Sequence, residues 1–219
     1  RQEWQSFVNA MTTNLTSFFR EAHHFPVLAD FARWRGAIDV WCCAASTGEE
    51  PYSIAMTLVD TLGSRAHTGC ILATDIDTDV IAQARTGVYK ETRIAGLDEA
   101  QLKRHFLRGK GTNTGLVRVK PELSRLLEFD ALDLLSPDWG MRDRKFDVIF
   151  CRNVMIYFDK ATQTRILQRF APLMKSGGLL FAGHSENFSY ITDDFVLRGK
   201  TVYEMVGAAT GPRVQRGQP

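Results

Sequence analysis

Three short strings hold the side chains best suited to chemistry. Ala44-Ala45-Ser46-Thr47-Gly48-Glu49-Glu50-Pro51 follows an apolar run, and its small residues suit a strand-to-helix turn where a ligand can approach the backbone closely. A pyrophosphate-binding turn would be rich in glycine, in the pattern G-x-G-x-x-G. Here there is one glycine and two carboxylates, which would repel a diphosphate. A ligand with an amino group and no phosphates fits better, which favours S-adenosylmethionine over a nicotinamide dinucleotide. The plainer reading is that Glu49 and Glu50 only complement the dipole of the following helix, worth a few tenths of a kcal/mol.

Asp75 ends the next apolar run, where a Rossmann-like site places an acid that accepts hydrogen bonds from ribose hydroxyls. Asp75, Asp77 and Asp79 also imitate the start of a calcium loop. That reading fails, because Val80 and Thr86 stand where Gly and Glu are required; Asp77 and Asp79 then read as a solvated turn. In the third string, Arg152 and Asn153 supply donors beyond the run ending at Cys151, and Tyr157 adds a ring and a hydroxyl. Arg152 reads equally as a carboxylate clamp or a structural partner. Cys151 lacks an evident base and reads as a core thiol. His184-Ser185-Glu186 has the composition of a triad, but adjacent residues cannot generally converge on one centre.

The elements that must position these residues are legible as alternating apolar runs and helix-period segments, the pattern of a parallel sheet with crossover helices. Strands are expected at Ile38 to Cys43, Cys70 to Asp75, Phe146 to Cys151 and Leu179 to Gly183. A helix with Ile54, Ala55, Leu58, Val59 and Leu62 on one face follows the first strand, with Pro51 near its first turn and Gly63 just past its end. Another spans Asp159 to Met174, with Gly177 and Gly178 as its stop. Phe195 to Arg198 and Thr201 to Met205 form a hairpin through Gly199 and Lys200. The expected fold class is therefore α/β, with a mostly parallel sheet closed by an antiparallel C-terminal hairpin. A small antiparallel β-subdomain, placed at 103–128, interrupts it, marked by Gly109, Gly111, Gly115 and the alternation of Leu116 to Lys120.

The 219 residues carry 27 Lys and Arg against 25 Asp and Glu, a net +2, with 44% hydrophobic and 24% charged residues. That suits an ordinary globular domain and argues against bulk nucleic-acid binding. No apolar run approaches the roughly 18 residues of a membrane helix. Cys42, Cys43, Cys70 and Cys151 read as reduced, buried thiols of a cytosolic protein. The sequons at Asn14 and Asn187 then have no use. The charge is uneven: Lys103 to Arg125 alone carries a net +6.

Taken together, five strings resemble the chemotaxis receptor methyltransferases, the CheR family. They are Thr13-Asn14-Leu15-Thr16-Ser17-Phe18-Phe19-Arg20-Glu21, Ala45-Ser46-Thr47-Gly48-Glu49-Glu50-Pro51-Tyr52-Ser53, Ala73-Thr74-Asp75-Ile76-Asp77, Phe150-Cys151-Arg152-Asn153-Val154-Met155-Ile156-Tyr157-Phe158 and Ala182-Gly183-His184-Ser185-Glu186-Asn187. The resemblance extends from about Trp4 to Met205. It implies the Rossmann-like S-adenosylmethionine-dependent methyltransferase fold and methyl transfer to glutamate carboxylates of bacterial chemoreceptors, leaving S-adenosylhomocysteine. By matching motif it implies cofactor contacts from Asn14, Thr16, Arg20, Glu50, Asp75, Asp133, Leu134, Arg152 and Asn153. Arg20 and Tyr157 would line the transferring methyl, and no metal is expected. Asp133 departs from the pattern, since some relatives carry Asn there.

The resemblance also implies an N-terminal helical domain, with 1–35 its exit and linker and 36–206 the methyltransferase domain; 207–219, rich in Gly, Pro and Arg, reads by composition as a disordered tail. The basic insertion is similar to the β-subdomain with which some members hold a pentapeptide at the receptor C-terminus. Gly109, Gly111, Gly115 and Arg118 would be its contacts; a solvated hairpin is the plain alternative. A cytoplasmic monomer is expected, without nucleic acid or membrane insertion. Competing functions are a non-catalytic regulatory protein that binds S-adenosylmethionine or its demethylated product, and an oxidoreductase, which the acidic first loop disfavours.

Overall fold

Val40–Cys43 alternates its four side chains between two apolar layers, and this alternation organises the molecule: Val40 and Cys42 join one layer, Trp41 and Cys43 the other. The computed structural model describes residues 3, 9, 15–189 and 192–206. In chain order the elements are α1 (His24–Arg35), β1 (Val40–Cys43), α2 (Glu49–Leu62), β2 (Ile71–Asp75), α3 (Thr78–Thr86), β3 (Val88–Lys90), α4 (Glu99–His105), β4 (Phe106–Arg108), β5 (Leu116–Val119), α5 (Pro121–Ser124), β6 (Leu127–Ala131), β7 (Phe146–Cys151), α6 (Lys160–Phe170), β8 (Met174–Ala182), β9 (Phe195–Gly199) and β10 (Val202–Met205).

Seven strands form the main sheet in the order β6-β2-β1-β7-β8-β10-β9. β6, β2, β1, β7 and β8 are parallel, and β10 and β9 close the sheet antiparallel. This is the mostly parallel sheet closed by an antiparallel hairpin that the sequence leads one to expect. Both faces of β1 and β7 are covered, so these strands are continuous apolar runs. Helices α1 and α2 pack together over one face, while α6 turns Ile166, Leu167 and Phe170 into the other.

Several boundaries differ from the sequence expectation. Helix α6 starts at its Asp159 cap, whose side chain accepts from Thr162 N at 2.7 Å, but it ends at Phe170. β8 begins at Met174, five residues before Leu179, so Gly177 and Gly178 belong to a strand and do not stop a helix. A Cβ on Gly178 would lie 2.7 Å from the Asp147 carbonyl oxygen, so the glycine allows β8 to meet β7 where their register shifts. The last hairpin turns at Lys200 and Thr201, one residue later than expected, and the slip is absorbed as a bulge beside Val202 and Tyr203. Asp77 is not a solvated turn residue. It is buried and caps α3, accepting from Asp79 N and Val80 N.

The small sheet has the order β3-β5-β4, with both pairings antiparallel. It draws on Val88–Lys90, well before 103, while Leu127 and Glu128 belong to β6 of the main sheet. Lys103 and Arg104 lie on α4. β3 leaves no signal in the sequence because three residues are too short for a periodic pattern, and β6 leaves none because an edge strand keeps polar side chains. All four cysteines are free; Cys70 is half-buried and the others buried.

Candidate functional site

The parallel strands β1, β2 and β7 end together, and the loops that follow them enclose a cavity of about 410 Å³. This is the carboxyl edge where open α/β sheets hold ligands. Thr16, Arg20, Glu50, Asp75, Asp133, Leu134, Arg152, Asn153 and Tyr157 all line it. Asn14 lies outside the described residues. Gly109, Gly111, Gly115 and Arg118 do not line the cavity; they sit in β5 and in the loop joining β4 to β5.

The first loop is held in an unusual backbone path. Ala44 (φ 52°), Ser46 (φ 49°) and Gly48 (φ 97°) are all left-handed within five residues, and for the two non-glycines this costs about 1 kcal/mol or more apiece. Asp75 compensates from β2: its Oδ2 accepts from Ser46 N at 2.8 Å and its Oδ1 from Asp77 N at 3.0 Å. Burial pushes the Asp75 carboxyl upward, against the pull of these N–H donors. A carboxylate has about four acceptor positions, so Asp75 keeps capacity for ribose hydroxyls. Gly48 serves a different end from the one its sequence suggested. A Cβ there would lie 2.8 Å from the Tyr89 hydroxyl, which donates to Thr47 O at 2.8 Å.

The two acids of the loop diverge. Glu49 is wholly buried, accepts from Thr47 Oγ1 at 2.6 Å and pairs with Arg93, so it does not line the cavity. Glu50 does, and its Oε2 lies 2.8 Å from Arg152 Nη1. Burial raises the Glu50 carboxyl and the Arg152 charge opposes that rise. Neither acid is a free complement to the helix dipole. Cys42 donates to Glu50 Oε1 at 3.4 Å; burial, reinforced by the Glu50 charge, raises its thiol far above the range of a nucleophile.

Arg152 is a buried hub. Besides Glu50 it faces Glu21 Oε2 at 3.6 Å and donates to the backbone oxygen of Arg20 at 2.5 Å. Arg20 in turn donates from Nη1 to Leu15 O at 2.9 Å, which fixes one edge of its guanidinium beside the cavity. Tyr157, 65% exposed, stands at the rim. Asp133 closes a turn after β6 by accepting from Leu135 N at 2.8 Å. The apolar lining of Ile76, Leu132, Leu135, Ile156 and Phe158 went unassigned in the sequence, although each lies within three residues of a residue singled out there.

His184 and Glu186 part company, as adjacent residues must. His184 N donates to Glu21 Oε1 at 3.1 Å, whereas the buried Glu186 accepts backbone N–H groups of both adjoining loops. Among the described residues, Glu21, His23 and His24 bring ligand-type atoms within 4.8 Å of one another. Arg152 beside Glu21 makes that spot unfavourable for a second cation. Burial first, then the charges of Arg152, His23 and Lys200, holds His24 down to about 3.

The donor set fits an S-adenosyl ligand. Such a ligand carries sulfonium and ammonium cations, which suit the acidic lining of Glu50, Asp75 and Asp133. Asp75 stands where ribose hydroxyls are read, and Ile76, Leu134 and Leu135 offer an apolar berth for a base. The cavity volume is within the usual range for such ligands.

Residues 14–203 match the family described as CheR methyltransferase, SAM binding domain. A chemotaxis protein methyltransferase of Klebsiella aerogenes is 60% identical over 202 residues, covering 92% of this chain and 69% of that protein. Its counterpart in Escherichia coli K12 is 57% identical over 204 residues, covering 93% and 71%. Chemotaxis protein methyltransferase 2 of Pseudomonas aeruginosa is 54% identical over 205 residues, covering 92% and 73%.

Proposed function

This chain belongs to the CheR methyltransferase family and carries its S-adenosylmethionine-binding domain, and from that premise we propose that it methylates glutamate side chains of bacterial chemoreceptors in the cytoplasm, as a monomer. The products are glutamate methyl esters and S-adenosylhomocysteine. One observation carries the reading: Arg20 and Tyr157 line the same cavity as Glu50 of α2, Asp75 of β2 and Asp133 just after β6.

When bound, the cofactor supplies a methyl group made electrophilic by its sulfonium. A glutamate carboxylate is already ionised near neutral pH, so no residue need act as general base. The chain's work is to align two reactants and exclude water. Arg20 orients the incoming carboxylate with the edge of its guanidinium left free by Leu15 O. Tyr157 shapes the methyl pocket. With the cofactor bound, Asp75 would hold the ribose hydroxyls, Asp133 and Leu134 would flank the base, and Thr16 and the Arg152-Asn153 pair, with Glu50, would border the amino-acid end; all line the cavity. The buried Arg152 acts chiefly on its neighbours: it forms ion pairs with Glu50 and Glu21 and donates to Arg20 O, while its Nε has no hydrogen-bond partner among the described residues.

The test is transfer of labelled methyl from S-adenosylmethionine to receptor-bearing membranes. Label in the receptor that alkali releases as methanol is expected. Alkali-stable label, or binding of the cofactor without transfer, would overturn the reading. In the same assay Arg20→Ala is expected to lower turnover about a hundredfold or more.

We further propose that the small sheet binds the receptor's C-terminal pentapeptide. β4 is an edge strand with Leu107 48% exposed, and an edge can pair with an extended peptide while Arg118 meets its acids. Gly109, Gly111 and Gly115 shape the adjoining loop. Calorimetry with an acidic, aromatic pentapeptide checks this: heat is expected, and its absence beside normal cofactor binding would favour a merely solvated hairpin.

A further inference from the structure

Asn153 lines the cavity with φ 59°, a left-handed conformation that Asn enters more readily than most non-glycine residues. The surrounding structure selects it over the commoner extended and helical alternatives. Glu186 makes that selection. Its Oε2 accepts from Asn153 N at 3.0 Å and from Gly183 N at 2.5 Å, and its Oε1 from Met155 N at 2.8 Å. One buried carboxylate thereby ties the loop after β7 to the loop after β8. Gly183 completes the seat, because a Cβ there would lie 2.4 Å from Asn153 Nδ2.

The side chain of Asn153 is fixed by a second acid. Glu21 Oε1 takes Nδ2 at 3.4 Å while also accepting from His184 N at 3.1 Å. A carboxylate next to Arg152 can only accept, so the amide must turn its NH2 end toward Glu21. The other end, Oδ1, accepts no hydrogen bond from any described residue. Both donors of Asn153, its N and its Nδ2, are thus engaged within the chain, which leaves Oδ1 as the end it can offer.

We propose that Glu186 and Glu21 are positioning residues that together turn the Asn153 carbonyl oxygen into an acceptor for the ammonium group of the bound S-adenosyl ligand. Neither acid touches the ligand. Glu186 sets the backbone of Asn153 and Glu21 sets which end of its amide is offered. The inference rests on the cofactor-binding reading above and specifies which ligand group that corner recognises.

The experiment is calorimetric titration of the full chain with S-adenosylhomocysteine and with its deaminated analogue, which lacks the ammonium. The parent should prefer the ammonium-bearing ligand about tenfold or more, the value of one charge-assisted hydrogen bond. Glu21→Gln, which lets the amide face either way, should lower that preference about threefold or more, and Glu186→Gln should lower it as well. Asn153→Gly adopts φ 59° freely, so it removes the amide without straining the loop and should abolish the preference even if a Glu186 variant fails to fold. Equal binding of both ligands by the parent, or full preference in folded Glu21→Gln or in Asn153→Gly, would overturn the inference. No binding of either ligand would instead overturn the cofactor reading itself.

Discussion

The two sheets of this molecule handle charge in opposite ways. At the carboxyl edge of the main sheet, Glu21, Glu50, Asp75, Glu186 and Arg152 are buried or nearly so, and each is held by partners from distant parts of the chain. On the small sheet, Arg108 and Arg118 stand in solvent with Lys110 beside them. Buried charge needs fixed partners and therefore makes a rigid, specific cavity. Exposed charge is cheap, adaptable and screened by salt, which suits a weak encounter with an acidic segment. The near-neutral total of +2 is thus the sum of a basic insertion and a net acidic remainder.

The contrast can be broken most severely at Arg152. Arg152→Ala leaves Glu50 and Glu21 without their shared cation, and a denaturant titration is expected to show a loss of about 3–5 kcal/mol. A loss within about 0.5 kcal/mol would mean that the buried charges are not interdependent.

His24, buried beside the same network, gives the next effect. It titrates near 6.5 when unfolded and near about 3 in the fold. Between those values the unfolded chain binds the extra proton. Its contribution is therefore complete above about pH 6.5 and declines as pH falls, by up to about 1.4 kcal/mol per unit. The acids Glu50, Asp75 and Glu186, raised by burial, act with the opposite sign, their contribution falling as pH rises through their titration. Comparing the parent with His24→Gln across pH 4 to 7 isolates the histidine: the variant should lose less stability on acidification, and parallel curves would remove His24 as the cause.

Smaller effects belong to the small sheet. A Cβ at Gly109 would sit 2.0 Å from Asn113 O, so Gly109→Ala must reshape the loop, at about 1–3 kcal/mol. It is expected to remove the pentapeptide heat while cofactor affinity stays at the parent value. Arg118→Ala should change stability by less than about 0.5 kcal/mol and show itself only as weaker, less salt-sensitive peptide binding.

Much of the cavity was legible because it is built from strand-end strings, in which local sequence decides both the turn and the side chain. Asp75 follows an apolar run and Arg152 follows another, so their convergence came with the topology. Glu21 and Glu186 were not legible as holders of Asn153, because their partners lie 132 and 33 positions away and no local pattern encodes such a meeting. The same holds for Glu49, whose proximity to Glu50 in sequence hid the fact that it turns toward Arg93. Gly177 and Gly178 mask the start of β8 in the sequence, because paired glycines resemble a helix stop until the strand they pack against is known.

The hydrogen bond from Tyr89 of β3 to Thr47 of the first loop has a consequence for inheritance. With Gly48 kept bare by that hydroxyl and Glu49 tied to Arg93, the small sheet and the cofactor loop share fasteners. The insertion is not an exchangeable cassette: a graft cut at 103–128 would leave β3 and its fasteners behind. A functional transplant between relatives would have to carry Thr47 to Glu49, Tyr89 and Arg93 as a single unit of descent.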